Sequence, residues 1–463
     1  MSALSIKGPI ALAFLGAGVI SLLATLMPGG ILFGPIAAVP GIKAFAIFAL
    51  IFGLLILRQP LLVILLGVAA YVHLVWGAGK LNYIVEDMWV GLDKEVILSI
   101  PLFILCGSVM TRGSIAQRLI NILAAMTRRL PGGLAVACIL SCAVFAAISG
   151  SSIVTMLAIG SVMYPAMRQA GYDLKFSLGA IMSGGTLGII IPPSIPMIIY
   201  GLVTETSITD LFAAGFGPGF LLTFVFSIYA VWFNWNMPTE KFEWDRFVKA
   251  FKAGIWALMM PVILLGGIYS GYFTATEAAA VALCYALFVE IFIHRELKLM
   301  DFYGVVLETS KLGGSLFPVL AIALSLNIIL TEQRVPQMLV TFMQGYISSP
   351  LTFMLLVNIL LLIVGCLMTT GEAILILAPL LAPVAAAYGY DKVVFGLIMI
   401  LNLEIGYLTP PVGLNLIVAM TAFKQSFGLL CQAAIPFILL MMFCLALVVW
   451  QPWIAMWFVN GKF

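Results

Sequence analysis

Apolar runs about as long as a bilayer is thick alternate with short polar turns along most of the chain, which predicts membrane-crossing helices rather than a soluble core. One run, Phe176 to Thr204, carries no charge, yet its middle holds Gly184-Gly185-Thr186 and then Gly188-Ile189-Ile190-Ile191-Pro192-Pro193-Ser194. Two adjacent prolines withdraw two backbone donors and clash with the preceding turn, so the pattern predicts a helix over 174–204 that breaks at the prolines. In hydrocarbon such a break persists only where protein, water or a ligand satisfies the freed N–H and C=O groups.

The pattern recurs. A constant shift of 218 residues, from Pro165 to Pro383, also carries Gly171, Tyr172, Asp173, Gly188, Pro192 and Pro193 onto Gly389, Tyr390, Asp391, Gly406, Pro410 and Pro411. Interrupted helices at matching places in two halves point to the binding site of a secondary transporter. The second broken helix is expected over 392–423. Before each, two apolar segments flank a small polar separator: Ser149-Gly150-Ser151-Ser152 within 132–170, and Thr369-Thr370-Gly371-Glu372 within 350–388. Each segment is shorter than a span, which predicts two re-entrant hairpins with tips at mid-membrane. Asp173 is expected to cap the first broken helix.

The fold expected is an all-α polytopic membrane protein built on an inverted repeat. Residues 1–97 hold an extra N-terminal helix, read as uncleaved, and scaffold helices. Residues 98–233 form the first repeat, 234–314 a cytoplasmic interfacial linker and scaffold helices, and 315–463 the second repeat and a C-terminal helix. A Gly/Pro-rich connection is expected between about 27 and 42, interfacial helices over 80–94 and 234–252, and separate spans at 254–272 and 275–293. Pro318 is expected to open a span as Pro101 does, and the last span to run from 428 to 452.

Composition supports this reading: of 463 residues, 63% are hydrophobic and 9% charged, against about a quarter charged in soluble domains. The apolar content divides into roughly a dozen segments of ~20 residues. The net charge of +3 is scattered through short loops, so no nucleic-acid partner is indicated. Seven cysteines lie in apolar runs without metal spacing, the two histidines are far apart, and neither HExxH nor GxSxG occurs. An enzyme would lack its usual parts.

The candidate chemistry therefore lies in the tips and breaks. Unwound carbonyls with Ser and Thr hydroxyls suit a hard cation, and helix N-termini suit an anionic substrate. Small residues at the tips also suit close helix packing. Glu372 and Glu404 fall inside the second-half site, where a lone carboxylate costs ~2.5 kcal/mol or more. Glu404 has two readings, a functional acid or a neutral group bonded to frayed backbone. Glu277, after Thr274, reads as a helix cap.

These residues resemble the large membrane subunit of the tripartite ATP-independent periplasmic (TRAP) transporters, the DctM-like family. The matching segments are Ile148 to Ser152, Gly184 to Gly188, Ile191 to Ser194, Phe273 to Ala280, Asn402 to Gly406 and Thr409 to Asn415, and the likeness runs from about residue 44 to the end. It implies an elevator-type, Na+-driven importer of a small organic acid in the bilayer of the bacterial inner membrane. A small membrane subunit and a periplasmic solute-binding protein are implied as partners, with no cofactor beyond the coupling ion. A carrier that works without a binding protein, driven by Na+ or H+, is the alternative.

Site residues implied are Ser149, Gly150, Ser151, Ser152, Gly185, Thr186, Gly188, Pro192, Pro193 and Ser194 in the first half. Thr369, Thr370, Gly371, Glu372, Glu404, Gly406, Thr409, Pro410, Pro411, Gly413 and Asn415 answer them in the second. Sodium is expected at Ser149, Ser151, Gly188, Thr370, Gly406 and Thr409. The family often has an acidic residue where this chain has Thr369. Its usual large subunit lacks the helix at 8–27, which resembles the connecting helix of forms with both membrane subunits fused.

Overall fold

A computed structural model describes residues 9–26, 41–57, 59–77 and 80–460, whose regular structure is all helical, with no strand. The expected connection after residue 27 falls outside these residues as far as residue 40. Among the described residues, eight helices are long and apolar enough to cross a membrane, or nine if a pair bent by 118° at residues 347–349 is one span. Six further apolar helices among the described residues, of 10–17 residues, are shorter than a span.

The chain divides into two compact units. The first comprises residues 1–94 with 314–335, and holds α1 (Pro9–Leu26), α2 (Ile42–Ile56), α3 (Leu61–Val75) and α4 (Asn82–Leu92). Inside it buried His73 lies 3.2 Å from the Ser325 hydroxyl and 3.6 Å from Asp87. Gly91 gives Leu324 room, since a Cβ at Gly91 would fall 2.7 Å from it. Residues 315–335, assigned from sequence to the second repeat, thus pack with the N-terminal helices.

The second unit holds α5 (Ser99–Arg112), α6 (Ile115–Thr127), α7 (Gly133–Ser149), α8 (Ser152–Gln169), α9 (Leu174–Ile190), α10 (Ile195–Thr204), α11 (Ile208–Phe233), α12 (Trp244–Tyr269) and α13 (Ala275–Phe288). Next comes α14 (Leu299–Glu332), whose C-terminal part lies in the first unit. The second unit resumes with α15 (Val335–Tyr346), α16 (Pro350–Gly365), α17 (Thr370–Ala387), α18 (Lys392–Tyr407), α19 (Leu414–Phe423), α20 (Phe427–Trp450) and α21 (Trp453–Asn460). At its centre α9 packs on α7, α8 and α20, while α18 packs on α16, α17 and α20, and α10 on α17.

The 218-residue shift reappears in the element bounds: Ser152–Gln169 answers Thr370–Ala387, and Leu174 answers Lys392 as the first residue of a helix. Both of those starts are capped by aspartate. Asp173 accepts the Phe176 N–H at 2.9 Å, and Asp391 accepts those of Val393 and Val394 at 2.8 and 3.3 Å. Both helices end ahead of the proline pairs, where Pro192-Pro193 and Pro410-Pro411 each carry a cis peptide bond.

Three stretches differ from the sequence expectation. The amphipathic 244–252 and the apolar span after it form one helix, α12, because no breaker separates them. The polar residues before it are tied down by Arg128, which pairs with Glu240 and lies 3.8 Å from Glu243. Pro318 does not open a span but lies inside α14, a helix of 34 residues; helices in a membrane tolerate proline where neighbours satisfy the freed carbonyl. Finally, α15 and α21 are additional short helices beside the expected spans.

Candidate functional site

The first tip is a left-handed turn at Gly150, φ +59°, between the end of α7 and the start of α8. It turns the chain back so that the Gly150 carbonyl accepts the Ile195 N–H at 3.4 Å, which ties the tip to the start of α10 after the first break. Ser149, Ser152 and Thr155 are buried, and the Ser149 and Thr155 hydroxyls lie 2.6 Å apart. Gly188 backs onto this pair: a Cβ there would collide with Ser151 O and Thr155 Oγ1.

The second tip is built likewise. The Cys366 carbonyl accepts the Gly413 N–H at 3.3 Å, at the start of α19 after the second break. Gly406 backs onto Gly365, where a Cβ would overlap the backbone. Glycine at both 188 and 406 is therefore required by close approach of a broken helix to a hairpin.

The tips differ in chemistry. Thr370 donates its hydroxyl to Glu404 Oε1 at 3.0 Å and its N–H to the Tyr407 hydroxyl at 2.7 Å. Asn415 Nδ2 donates to Ser152 Oγ at 2.7 Å, so the second broken helix reaches the first hairpin. Glu404 and Asn415 are both fully buried, and Glu404 Oε2 and Asn415 Oδ1 have no hydrogen-bond partner among the described residues. Two unpaired oxygens in a polar nest are costly to bury empty. At the shift of 218, Thr186 is the counterpart of Glu404, so the carboxylate belongs to one half only.

Other expected site residues are engaged locally. Thr186 donates to Ser183 O at 2.7 Å inside α9, with Gly185 packed on Met156. Ser194 caps α10 through the Met197 N–H at 3.4 Å. Glu372 closes a capping box with Thr369: Thr369 Oγ1 accepts the Glu372 N–H at 3.3 Å, and Glu372 Oε2 accepts the Thr369 N–H at 3.1 Å. The same box joins Thr274 and Glu277, as read from sequence. Thr409 donates to Ile405 O at 2.7 Å, which leaves its lone pairs free. Pro192 and Pro193 are buried, while Pro410, Pro411 and Gly371 are partly or wholly accessible.

Sequence reasoning missed Thr155 and Tyr407. Thr155 lies three residues after Ser152 on the same face of α8, and Tyr407 three after Glu404 on α18. That helical spacing was the available signal.

A profile of the family described as "Tripartite ATP-independent periplasmic transporter, DctM component" matches residues 48–454. The chain is 37% identical over 436 residues to the C4-dicarboxylate TRAP transporter large permease protein DctM of Vibrio cholerae, covering 89% of this chain and 96% of that one. It is 39% identical over 401 residues to the isethionate TRAP transporter permease protein DctMQ of Oleidesulfovibrio alaskensis, covering 85% of this chain and 63% of that one. In fold it is similar to the YdaH transporter of Alcanivorax borkumensis, at a TM-score of 0.59 and 12% identity over 82% of this chain and 88% of that one.

Proposed function

The chain belongs to the DctM family of TRAP transporter large permeases, and on that premise we propose that it is the Na+-coupled translocating subunit for a small organic anion. It is a multi-pass membrane permease subunit and not an enzyme. The bacterial inner membrane is its location, with a small membrane subunit beside it and a periplasmic binding protein delivering the substrate. The substrate is a small carboxylate of the C4-dicarboxylate or sialic acid kind. The isethionate permease among its relatives extends the class to a small sulfonate.

The observation that carries this reading is the buried meeting of Thr370 with Glu404 and of Ser152 with Asn415, drawn from both hairpins and the second broken helix, with Ser152 also acting on the Glu404 carboxylate. Ser149, Ser151, Gly188, Thr370, Gly406 and Thr409 supply hydroxyl or carbonyl oxygens for Na+. The start of α19 at Leu414, which has no side-chain cap, directs N–H groups at the anion, whereas at the start of α10 the Ile195 and Met197 N–H groups are taken by Gly150 O and Ser194 Oγ. The two halves lie in opposite orientation, and the hairpins and broken helices move together as an elevator.

Energetics make coupling necessary. Bringing a dianion into a cell at −100 mV costs ~4.6 kcal/mol, at ~2.3 kcal/mol per charge. Two Na+ offset that electrical cost, and their concentration gradient then drives import.

The test is reconstitution. The chain goes into proteoliposomes with its small subunit, and the binding protein is loaded with a ligand found by thermal-shift screening against organic acids. Uptake is expected to need both partners and inward Na+, and to rise more than linearly with Na+. Robust uptake of free substrate by this chain alone would establish a carrier independent of a binding protein. Flux unchanged when choline replaces Na+, at fixed pH and potential, would assign the coupling to protons.

A further inference from the structure

A cavity of about 380 Å3 lies between the start of α6, the first turns of α12 and the chain just past α13, with Ser114, Arg118, Asn121, Ala250, Ala253 and Glu296 in its walls. Its depth in the bilayer follows from α12. The last charge of that helix is Lys252, and the uncharged remainder, Ala253 to Tyr269, is about 25 Å long at 1.5 Å per residue, close to the ~30 Å of hydrocarbon. Exposed Trp244 and Trp256 bracket the same level, as tryptophan does among lipid headgroups. The cavity therefore opens at the boundary between headgroups and acyl chains, and its volume is that of a small-ligand pocket.

The charges in its walls are one cation and one anion, both held in place. Arg118 donates from Nε to Ser114 Oγ at 2.9 Å, from one terminal nitrogen to Ala253 O at 3.3 Å and from the other to Glu296 Oε1 at 3.0 Å. Three of its five N–H groups are thus engaged, and the Glu296 carboxylate keeps its second oxygen. Both side chains are open to a ligand, at 26 and 49% exposure. Gln117 donates to Asn121 Oδ1 at 3.1 Å, which leaves the Asn121 amide nitrogen as a donor. The wall behind is fixed. Fully buried Glu290 accepts the Ile115 N–H at 2.9 Å, a Cβ at Gly113 would overlap that carboxylate, and His294 Nδ1 lies 3.2 Å from Ser114 Oγ.

A simple anion here would meet Glu296, and a simple cation would meet Arg118. A group with both charges, a phosphate and an ammonium two carbons apart, answers each and leaves the ion pair between them intact. We propose that this cavity binds the phosphoethanolamine headgroup of a membrane lipid, its phosphate against Arg118 and Asn121 and its ammonium against the second oxygen of Glu296. Pockets between membrane helices at this level take lipid headgroups. A choline headgroup has no N–H to donate, since methyl groups cover its nitrogen, and a glycerol headgroup brings no cation to Glu296. Bound in this way, the lipid braces the turn between α5 and α6 against α12 and the segment after α13.

The test is native mass spectrometry of the full-length chain, purified in detergent and titrated with phosphatidylethanolamine, phosphatidylglycerol or phosphatidylcholine of identical acyl chains. One phosphatidylethanolamine per chain is expected to bind saturably, at a concentration roughly 3- to 10-fold below that needed for either of the others, the difference one charge-assisted contact makes at a half-exposed site. Glu296→Gln keeps the side chain's size, removes the partner of the ammonium and should bring phosphatidylethanolamine to the level of phosphatidylcholine. Ala253→Trp fills the cavity from an exposed position and should abolish the saturable binding with Arg118 and Glu296 intact. Both variants change exposed side chains, and an unchanged Tm checks that they are folded. Free phosphoethanolamine should displace the lipid only at far higher concentration, because it lacks the acyl chains; displacement at equal concentration would overturn the lipid as the occupant. Equal binding of the three lipids by the wild-type chain, tighter binding of phosphatidylglycerol, or a preference that survives in both variants would overturn the proposal.

Discussion

Asn415 Nδ2 donates to Ser152 Oγ at 2.7 Å across 263 residues of sequence, joining the start of α19 to the start of α8. Ser152 opens the second helix of the first hairpin and Asn415 follows the second break, so this bond crosses between the two halves of the proposed site. Removing either side should therefore act through the same contact. In a double-mutant cycle, Ser152→Ala and Asn415→Leu are each expected to lower uptake about tenfold, with the double variant far less than a hundredfold down. Additive losses in reconstituted uptake would show that the two residues act separately.

Glu404 is fully buried, with one oxygen held by Thr370 and the other unpaired. Glu404→Gln keeps the shape and the acceptor for Thr370 while removing a formal negative charge. If Glu404 is a cation ligand, the variant should need at least tenfold more Na+ for half-maximal uptake, since a lost charged ligand is worth ~1.4 kcal/mol or more. An unchanged Na+ dependence, with the variant folded, would exclude that role.

Ser151→Ala and Thr409→Ala each delete one hydroxyl without emptying a core. Both should lower uptake at limiting Na+ and recover at high Na+, because a missing oxygen weakens affinity while the backbone carbonyls remain. Uptake against Na+ concentration measures this, and a loss that no Na+ concentration rescues would place these hydroxyls elsewhere in the cycle.

Gly406 lies against the Gly365 backbone with no room for a Cβ. Gly406→Ala must push α18 away from the second tip, at ~1–3 kcal/mol for an overpacked contact. A lowered Tm in detergent, together with lost uptake, is the expected result. Gly428→Ala is the control, since a Cβ there meets nothing within 4 Å, and it should be neutral.

The Thr369–Glu372 box distinguishes a cap from an ion ligand. Glutamine also closes such a box, so Glu372→Gln should retain near-normal stability and Na+ dependence, whereas Glu372→Ala should lose ~1 kcal/mol. Glu277→Ala, in the other box, is expected to lower the Tm in the same direction but less, because that box is exposed. A sharp rise in the Na+ needed by Glu372→Gln would instead make its carboxylate an ion ligand.

The sequence by itself determined the features that depend on near neighbours. Helices stop ahead of Pro192-Pro193 and Pro410-Pro411 because two adjacent prolines withdraw two donors at once, whereas a lone proline such as Pro318 is accommodated within a helix. Asp173 and Asp391 start the broken helices because their carboxylates reach N–H groups two or three residues on. Family membership was legible for the same reason, since its motifs are these local breaks and tips.

Only the tertiary structure decided how the polar groups meet. Residues at the shared shift look equivalent in sequence, yet Glu404 is bonded across to Thr370 while Thr186 closes onto its own helix. Glu372 and Glu404 both read as acids in the site, but one carboxylate caps a helix and the other lies buried with a free oxygen. Packing likewise kept Pro318 inside α14 and placed residues 314–335 with the N-terminal helices. Caps and breaks follow from chain chemistry within a turn. Which oxygen of a buried carboxylate finds a donor depends on helices brought together from distant parts of the chain, where close packing rather than sequence distance sets the contacts.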